Sequence, residues 1–70
     1  MAGKLFQITR FVEEKKTSFA VGRLVMLSGV NLRKATVESP DDAAEIAKVM
    51  HALTGLLSHT ELAELRKLLG

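Results

Sequence analysis

Apolar residues in the C-terminal half of the chain recur at intervals of three and four positions, the spacing that lines one face of an α-helix. The stripe consists of Ala43, Ile46, Met50, Leu53 and Leu57. We predict a helix over residues 40–57, with Ser39 as its N-cap and Pro40 at the first helical position, where a missing N–H costs nothing. Asp41 and Asp42 would then place negative charge at the positive end of the helix dipole.

A second helix is predicted directly afterwards, over residues 58–69. Ser58 and, three residues later, Glu61 match the capping box, in which each side chain bonds the backbone N–H of the other residue. Three apolar residues of this helix are expected to face inward, with Leu68 beside them: Leu62, Leu65 and Leu69. Together with residues 40–57, this segment predicts a helical hairpin.

The N-terminal half is less regular, but its spacing also favours helices. One apolar stripe runs through residues 4–16 and consists of Leu5, Ile8 and Val12. A further helix is predicted over residues 17–28, with Gly29 ending it. The interrupted spacing fits a broken helix or two helices better than one long rod.

Residues 31–38 leave two structures open. They suit a short helix capped by Asn31, or an extended segment with Ala35 and Val37 on one side. For the whole chain we predict an all-α fold: a single helical domain over residues 1–70, with three or four short helices and the hairpin as its C-terminal part, completed by dimerisation.

The hydrophobic content is high for so short a chain, at 47% of 70 residues. A domain of this size buries only about 60% of the surface that its unfolded chain exposes. Cysteine is absent, so no disulfide can add stability. Burying the excess apolar surface against a second copy or another protein would supply stability, and this predicts self-association.

Charge is unevenly distributed along the chain. Residues 1–37 carry seven lysines and arginines against two glutamates, whereas residues 38–70 carry three against six acidic residues. This split is compatible with a basic surface for an acidic partner, with two halves that attract each other, or with a head-to-tail dimer.

No motif of catalysis or cofactor binding is present, so we expect no enzyme activity, no cofactor and no metal. His51 and His59 are eight residues apart across a predicted helix break, so helix geometry does not pair them. The chain shows no secretory signal and no stretch approaching the ~20 apolar residues of a membrane span. We therefore expect a cytoplasmic protein, and membrane binding is not favoured.

Residues 24–31 resemble the turn region of a helix-turn-helix, the DNA-binding motif whose second helix enters the major groove. Gly29 would allow the turn, and Val30 would pack beneath it. The residues presented to DNA by the next helix would be Arg33, Lys34 and Thr36. One departure is Glu38, which stands where an apolar residue normally anchors the reading helix.

Residues 33–69 also resemble, in outline, the ribbon-helix-helix family, in which paired strands from a dimer enter the major groove. This resemblance makes residues 34–37 the ribbon, with Lys34 and Thr36 as readers, and makes residues 40–55 and 58–69 its two helices. Ser39 departs from the pattern, because an inward apolar residue is expected there. The two resemblances use the same residues in incompatible ways.

We predict a non-enzymatic regulatory or adaptor protein that binds another protein through an exposed apolar helical surface, as a homodimer. Aromatic residues and Met are enriched at protein interfaces, which selects as candidates Phe6, Phe11, Phe19 and Met26. Packing in the core is the competing interpretation for each of them. The alternative function is a small dimeric DNA-binding regulator, whose candidate residues are Arg23, Arg33, Lys34 and Thr36.

Overall fold

Five α-helices occupy the described part of the chain, residues 3–15 and 21–70 of a computed structural model. In chain order they are α1 (Lys4–Lys15), α2 (Val21–Ser28), α3 (Leu32–Glu38), α4 (Ala43–Leu53) and α5 (His59–Leu69). The described ranges contain no strand, which confirms the predicted all-α class for this part of the chain. The predicted number of helices, three or four, is not tested, because residues 16–20, between α1 and α2, lie outside the described ranges.

The first two helices follow the predicted bounds. α1 corresponds to the helix predicted over residues 4–16, and its inward stripe is fully buried. α2 covers the described part of the second predicted helix, and Gly29 ends it with a φ of 71°. This left-handed conformation is open to glycine at no steric cost, which explains why the helix stops there. Phe19 lies outside the described residues.

The open choice at residues 31–38 resolves as a helix. The side chain of Asn31 caps α3 by accepting the backbone N–H of Lys34 at 3.3 Å, while Leu32 and Ala35 are buried on its inner side. The extended alternative is therefore wrong. The ribbon-helix-helix resemblance is wrong for the same reason, because its ribbon would occupy residues that form α3.

α4 is shorter than the helix predicted over residues 40–57. Its N-cap is Asp42, whose carboxylate accepts the backbone N–H groups of Ala44 and Glu45 at 2.9 and 3.1 Å. At its other end the helix stops at Leu53, and a turn follows. The predicted bounds are therefore wrong at both ends.

The residues predicted to open that helix belong instead to the turn between α3 and α4. Ser39 ends α3, and its backbone N–H donates to the carbonyl of Ala35 at 2.9 Å. Pro40 is held against the start of α1, because its carbonyl accepts the backbone N–H of Leu5 at 3.0 Å. A contact from far along the chain thus overrides a good local cap signal.

α5 begins as the sequence predicts. The Ser58 hydroxyl accepts the backbone N–H of Glu61 at 3.2 Å, and the Glu61 carboxylate accepts the backbone N–H of Ser58 at 2.9 Å. Both bonds of the capping box are present, so this prediction is confirmed.

The helices of the C-terminal half pack on those of the N-terminal half. α4 lies mainly against α2 and α5 against α1, while α1 also contacts α2 and α3. The largest fully buried side chains come from every helix: Leu5, Ile8, Val12, Leu24, Leu32, Val49, Leu53 and Leu65. The two halves are therefore joined by one apolar core, and the helices of the predicted hairpin are not each other's main packing partners.

Candidate interaction surfaces

α2 is apolar on its outward side as well as on its inward side. Leu24 points into the core and is fully buried, whereas Met26 and Leu27 are 84% and 56% exposed. A surface helix usually carries polar residues toward solvent, and a helix that is apolar all round is normally buried. The outward side of α2 is therefore a candidate for covering by another molecule.

This surface, the outer face of α2, consists of the four exposed residues Gly22, Arg23, Met26 and Leu27. At about 100° per residue they share one arc of the helix, on the side away from the inward-facing Val21, Leu24 and Val25. A Cβ built on Gly22 would meet no atom within 4 Å, so a neighbouring molecule can approach the backbone closely there. The face thus combines two bulky apolar side chains, an open backbone position and a guanidinium group.

A second apolar surface lies between α1 and α5 and is called here the α1–α5 groove. Its apolar residues are Phe6, Phe11 and Leu68. Phe6 and Leu68 are 42% and 56% exposed, whereas Phe11 is only 7% exposed and belongs to the core as well as to the groove. The groove therefore offers two accessible apolar side chains over a nearly buried aromatic ring.

The charged residues around the groove are mostly paired with one another. Lys15 of α1 lies 3.2 Å from Glu64 of α5, and Arg10 lies 3.8 Å from Glu14 on the next turn of α1. Both cations also lie 5.8 Å from the centre of a phenylalanine ring of the groove. Lys67 lines the groove without an ion-pair partner among the described residues. Little uncompensated charge faces a molecule that enters here.

The four predicted interface residues have different environments. Phe6 and Met26 are exposed, on the α1–α5 groove and on the outer face of α2 respectively. Phe11 is in the core, which is the competing interpretation given for it above. Phe19 lies outside the described residues, so its placement stays a prediction.

Sequence reasoning did not select three further exposed apolar residues: Leu27, Val37 and Leu68. Leu68 was expected beside the inward leucines of α5, but it is exposed. Steps of about 100° place those leucines within about 60° of arc, and Leu68 about 60° outside it. The angular position was therefore an available signal, and the simple spacing of leucines concealed it.

α2 and α3 follow each other directly, joined by a short connection over residues 29–31. Gly29 adopts the left-handed conformation, and Val30 is 3% exposed beneath the turn, with its N–H donating to the Ser28 hydroxyl at 3.2 Å. α1 packs on both helices. The turn at Gly29 and the burial of Val30 are therefore as predicted, whereas the DNA-binding motif itself stays a prediction.

The residues predicted to read DNA do not form a single basic surface. Arg33 lines one shallow pocket together with Thr36 and Glu13, and the half-buried Thr36 donates its hydroxyl to the Arg33 carbonyl at 3.0 Å. Lys34 lines another pocket beside two carboxylates. Arg23 lies on the outer face of α2. The structure therefore brings Arg33 and Thr36 together and places the other two elsewhere.

Acidic and basic side chains differ in how far the molecule itself engages them. Five of the six carboxylates in residues 38–70 have a partner: Asp41, Asp42, Glu45, Glu61 and Glu64. The Asp41 carboxylate, for example, accepts the backbone N–H of Lys4 at 3.0 Å. Within the described ranges, the cationic side chains that have no partner are those of Lys4, Arg23, Arg33, Lys34, Lys48, Arg66 and Lys67. The uncompensated surface charge is therefore mainly positive.

The described ranges contain no group of three or more His, Cys, Asp or Glu side chains that could hold a metal ion. α1 is the longest described helix, with 12 residues, and no helix of the described ranges is both long and apolar enough to cross a membrane. Comparisons with protein-family models, with curated proteins and with solved structures find no match.

Proposed function

We propose that this chain is a non-enzymatic regulatory or adaptor protein that binds another protein on the outer face of α2. One observation carries the proposal: α2 buries Leu24 completely, while on its outward side it exposes 84% of Met26 and 56% of Leu27. Covering that side with a partner gives α2 the environment that helices apolar all round normally have.

The energetics set a requirement for the partner. Full burial of a side chain such as Met or Leu contributes about 1.5–3 kcal/mol, so Met26 and Leu27 together contribute at most about 3–6 kcal/mol. Association costs on the order of 4–15 kcal/mol in lost translational and rotational freedom. The two side chains therefore act as central anchors, and the partner must contact additional surface around them.

The test compares a double variant of the outer face of α2 with a control variant that removes an exposed apolar side chain elsewhere. Met26→Gln with Leu27→Gln should abolish capture of a specific partner from cell extract, while Val37→Gln, at an 80% exposed position outside this face, should not. Hydrogen exchange of the purified complex should show protection over residues 21–28. Equal capture by the double variant and the wild type would refute the proposal, provided that both melt at the same temperature.

Self-association is proposed at the other surface, the α1–α5 groove. Its ion pairs leave little net charge on the rim, so a second copy would bring no strong like-charge repulsion. Phe6→Gln with Leu68→Gln should convert a dimer into a monomer in sedimentation equilibrium, with Val37→Gln again as the control. A dimer that survives this change does not use the groove.

DNA binding is the second candidate function, favoured by the geometry of α2, the turn at Gly29 and α3. A gel shift with mixed-sequence duplex at about 50 and 200 mM salt tests it, because phosphate contacts weaken sharply over this range. Arg33→Ala with Lys34→Ala should abolish the shift, and Lys48→Ala, an exposed cation on α4, should leave it. No shift at the lower salt concentration would exclude this function.

A further inference from the structure

We infer that the partner on the outer face of α2 is an acidic amphipathic helix, which lays its apolar side over Met26 and Leu27 and its carboxylates beside Arg23. This inference rests on the proposed function and adds the chemistry of the partner. Three sets of observations carry it: the charges around α2, the use of carboxylates within the chain, and the shape of the face.

The sequence on both sides of α2 is basic. Residues 15–37 contain five lysines and arginines and no Asp or Glu. Arg23 projects from the outer face itself, and Arg33 lines the same pocket as Val21 at the beginning of α2. Glu13 is the single carboxylate in that pocket, and no ion pair within 4.0 Å joins it to Arg33. A partner gains electrostatic complementarity here by carrying negative charge.

In a second copy of this chain, five of the six carboxylates of residues 38–70 already have a partner within the molecule, and Glu38 is the exception. The carboxylates of Asp41, Asp42 and Glu61 cap helices, that of Glu45 accepts the Ser39 hydroxyl, and that of Glu64 pairs with Lys15. Recruiting them to an intermolecular contact would break bonds that hold the fold. An isologous contact through α2 would bring two copies of Arg23 together, which opposes association.

The shape of the face favours a helix over nucleic acid or lipid. Met26 and Leu27 project about 100° apart from a helix about 12 Å long, and Gly22, one turn before Met26, leaves open space beside them. A partner helix can set its ridges into this space. Nucleic acid would leave both apolar side chains without a matching surface. An eight-residue helix with two apolar anchors buries little area in a lipid interface.

The experiment measures binding by fluorescence anisotropy to two designed peptides of about five helical turns each. Both carry Leu at positions i, i+3, i+4 and i+7; one has Glu on the flanks of this stripe and the other has Lys. The full chain should bind the Glu peptide about tenfold more tightly than the Lys peptide, and this ratio should shrink in high salt. A mixed-sequence duplex and vesicles containing phosphatidylserine serve as competing ligands.

Variants locate the effect on the surface. Arg23→Gln should weaken binding of the Glu peptide about threefold, in the range of an exposed ion pair, and Met26→Gln about tenfold or more, because apolar burial is lost. Arg66→Gln removes an equally unpaired cation from α5 and should leave the binding of both peptides unchanged. This pattern would support the inference.

The opposing outcomes are distinct from one another. Equal binding of both peptides, with both lost in Met26→Gln, would overturn the acidic partner while leaving protein docking at this face intact. Tighter binding of the duplex or of the vesicles than of the Glu peptide would also overturn it and favour that ligand. If the chain binds neither peptide, the inference is also overturned. The capture experiment with the Met26 and Leu27 double variant then tests the proposed function separately.

Discussion

The acidic C-terminal half and the basic N-terminal half of this chain use their charges differently. In residues 38–70, carboxylates cap α1, α4 and α5 or bond other side chains of the same molecule. In residues 3–37, Arg23, Arg33 and Lys34 have no such partner within the described ranges, and Arg10 and Lys15 alone hold ion pairs. The acidic groups therefore mainly stabilise the fold, whereas the basic groups are available for recognition.

The turn between α3 and α4 shows how the acidic groups achieve this. Two neighbouring carboxylates satisfy the N-termini of two different helices: Asp41 accepts an N–H at the start of α1, and Asp42 accepts two at the start of α4. Each negative charge lies at the positive end of a helix dipole. The halves are thus joined by capping and by the apolar core, with one ion pair, Lys15–Glu64, between described residues of the two halves.

The largest expected effect separates folding from recognition within α2. Leu24→Ala should lower the free energy of unfolding by about 2–5 kcal/mol, because it empties a fully buried site. Met26→Ala, two positions away, should change it by less than about 0.5 kcal/mol. Urea denaturation measures both values. Similar losses for the two variants would mean that Met26 is covered in solution by the protein itself or by a second copy.

The same substitution, Gly→Ala, should change the stability in opposite directions at two positions. Gly3→Ala places a Cβ against the ring of Pro40, so we expect a loss of about 1–3 kcal/mol as the turn is pushed away from α1. Gly22→Ala adds a Cβ in open space inside α2, where Ala exceeds Gly in helix propensity by about 1 kcal/mol. Thermal unfolding of both variants should show one melting temperature falling and the other rising. A stable Gly3→Ala variant would contradict the close packing of the turn on α1.

The difference between local and long-range interactions also explains what the sequence could predict about the fold. The capping box of Ser58 and Glu61 spans three residues, so its pattern can be recognised directly, and it is present. The hydrogen bond between the Lys4 backbone N–H and the Asp41 carboxylate spans 37 residues, and no local sequence pattern predicts it. The Ser39–Pro40 signal was misleading for this reason: a locally favourable cap competes with a tertiary contact that the sequence does not display.

The candidate surfaces were predictable to a similar extent. Exposure of Phe6 and Met26 could be anticipated, because no arrangement of the predicted helices points every large apolar residue inward. The other exposed apolar residues of these surfaces could not be predicted, since the α1–α5 groove depends on how two helices distant in sequence pack. That packing buries Phe11, in line with the competing interpretation given for it, and exposes Leu68, which was expected beside the inward leucines of α5.

A smaller effect tests the capping role of the acidic half. Asp41→Ala and Asp42→Ala should each cost about 0.5–2 kcal/mol of stability, because each leaves backbone N–H groups of a helix without an acceptor. Glu38→Ala removes an exposed carboxylate that caps no helix and should stay within about 0.5 kcal/mol. Asp42→Asn should retain most of the stability, since an amide oxygen also accepts these bonds. Equal costs for all three alanine variants would remove the distinction between engaged and free carboxylates.

The smallest expected effect concerns the ion pair that joins the halves. Lys15 and Glu64 lie 3.2 Å apart with side chains 42% and 49% exposed, so solvent screens their attraction, and a double-mutant cycle should yield about 0.2–1 kcal/mol. That coupling energy should shrink in about 1 M salt, where the Debye length is about 3 Å. Arg23→Gln, measured in the same denaturation series, should leave the free energy of unfolding unchanged, because Arg23 has no described partner to lose. A substantial loss of stability in Arg23→Gln would show that this cation serves the fold, and the basic surface around α2 would then no longer be available to a partner.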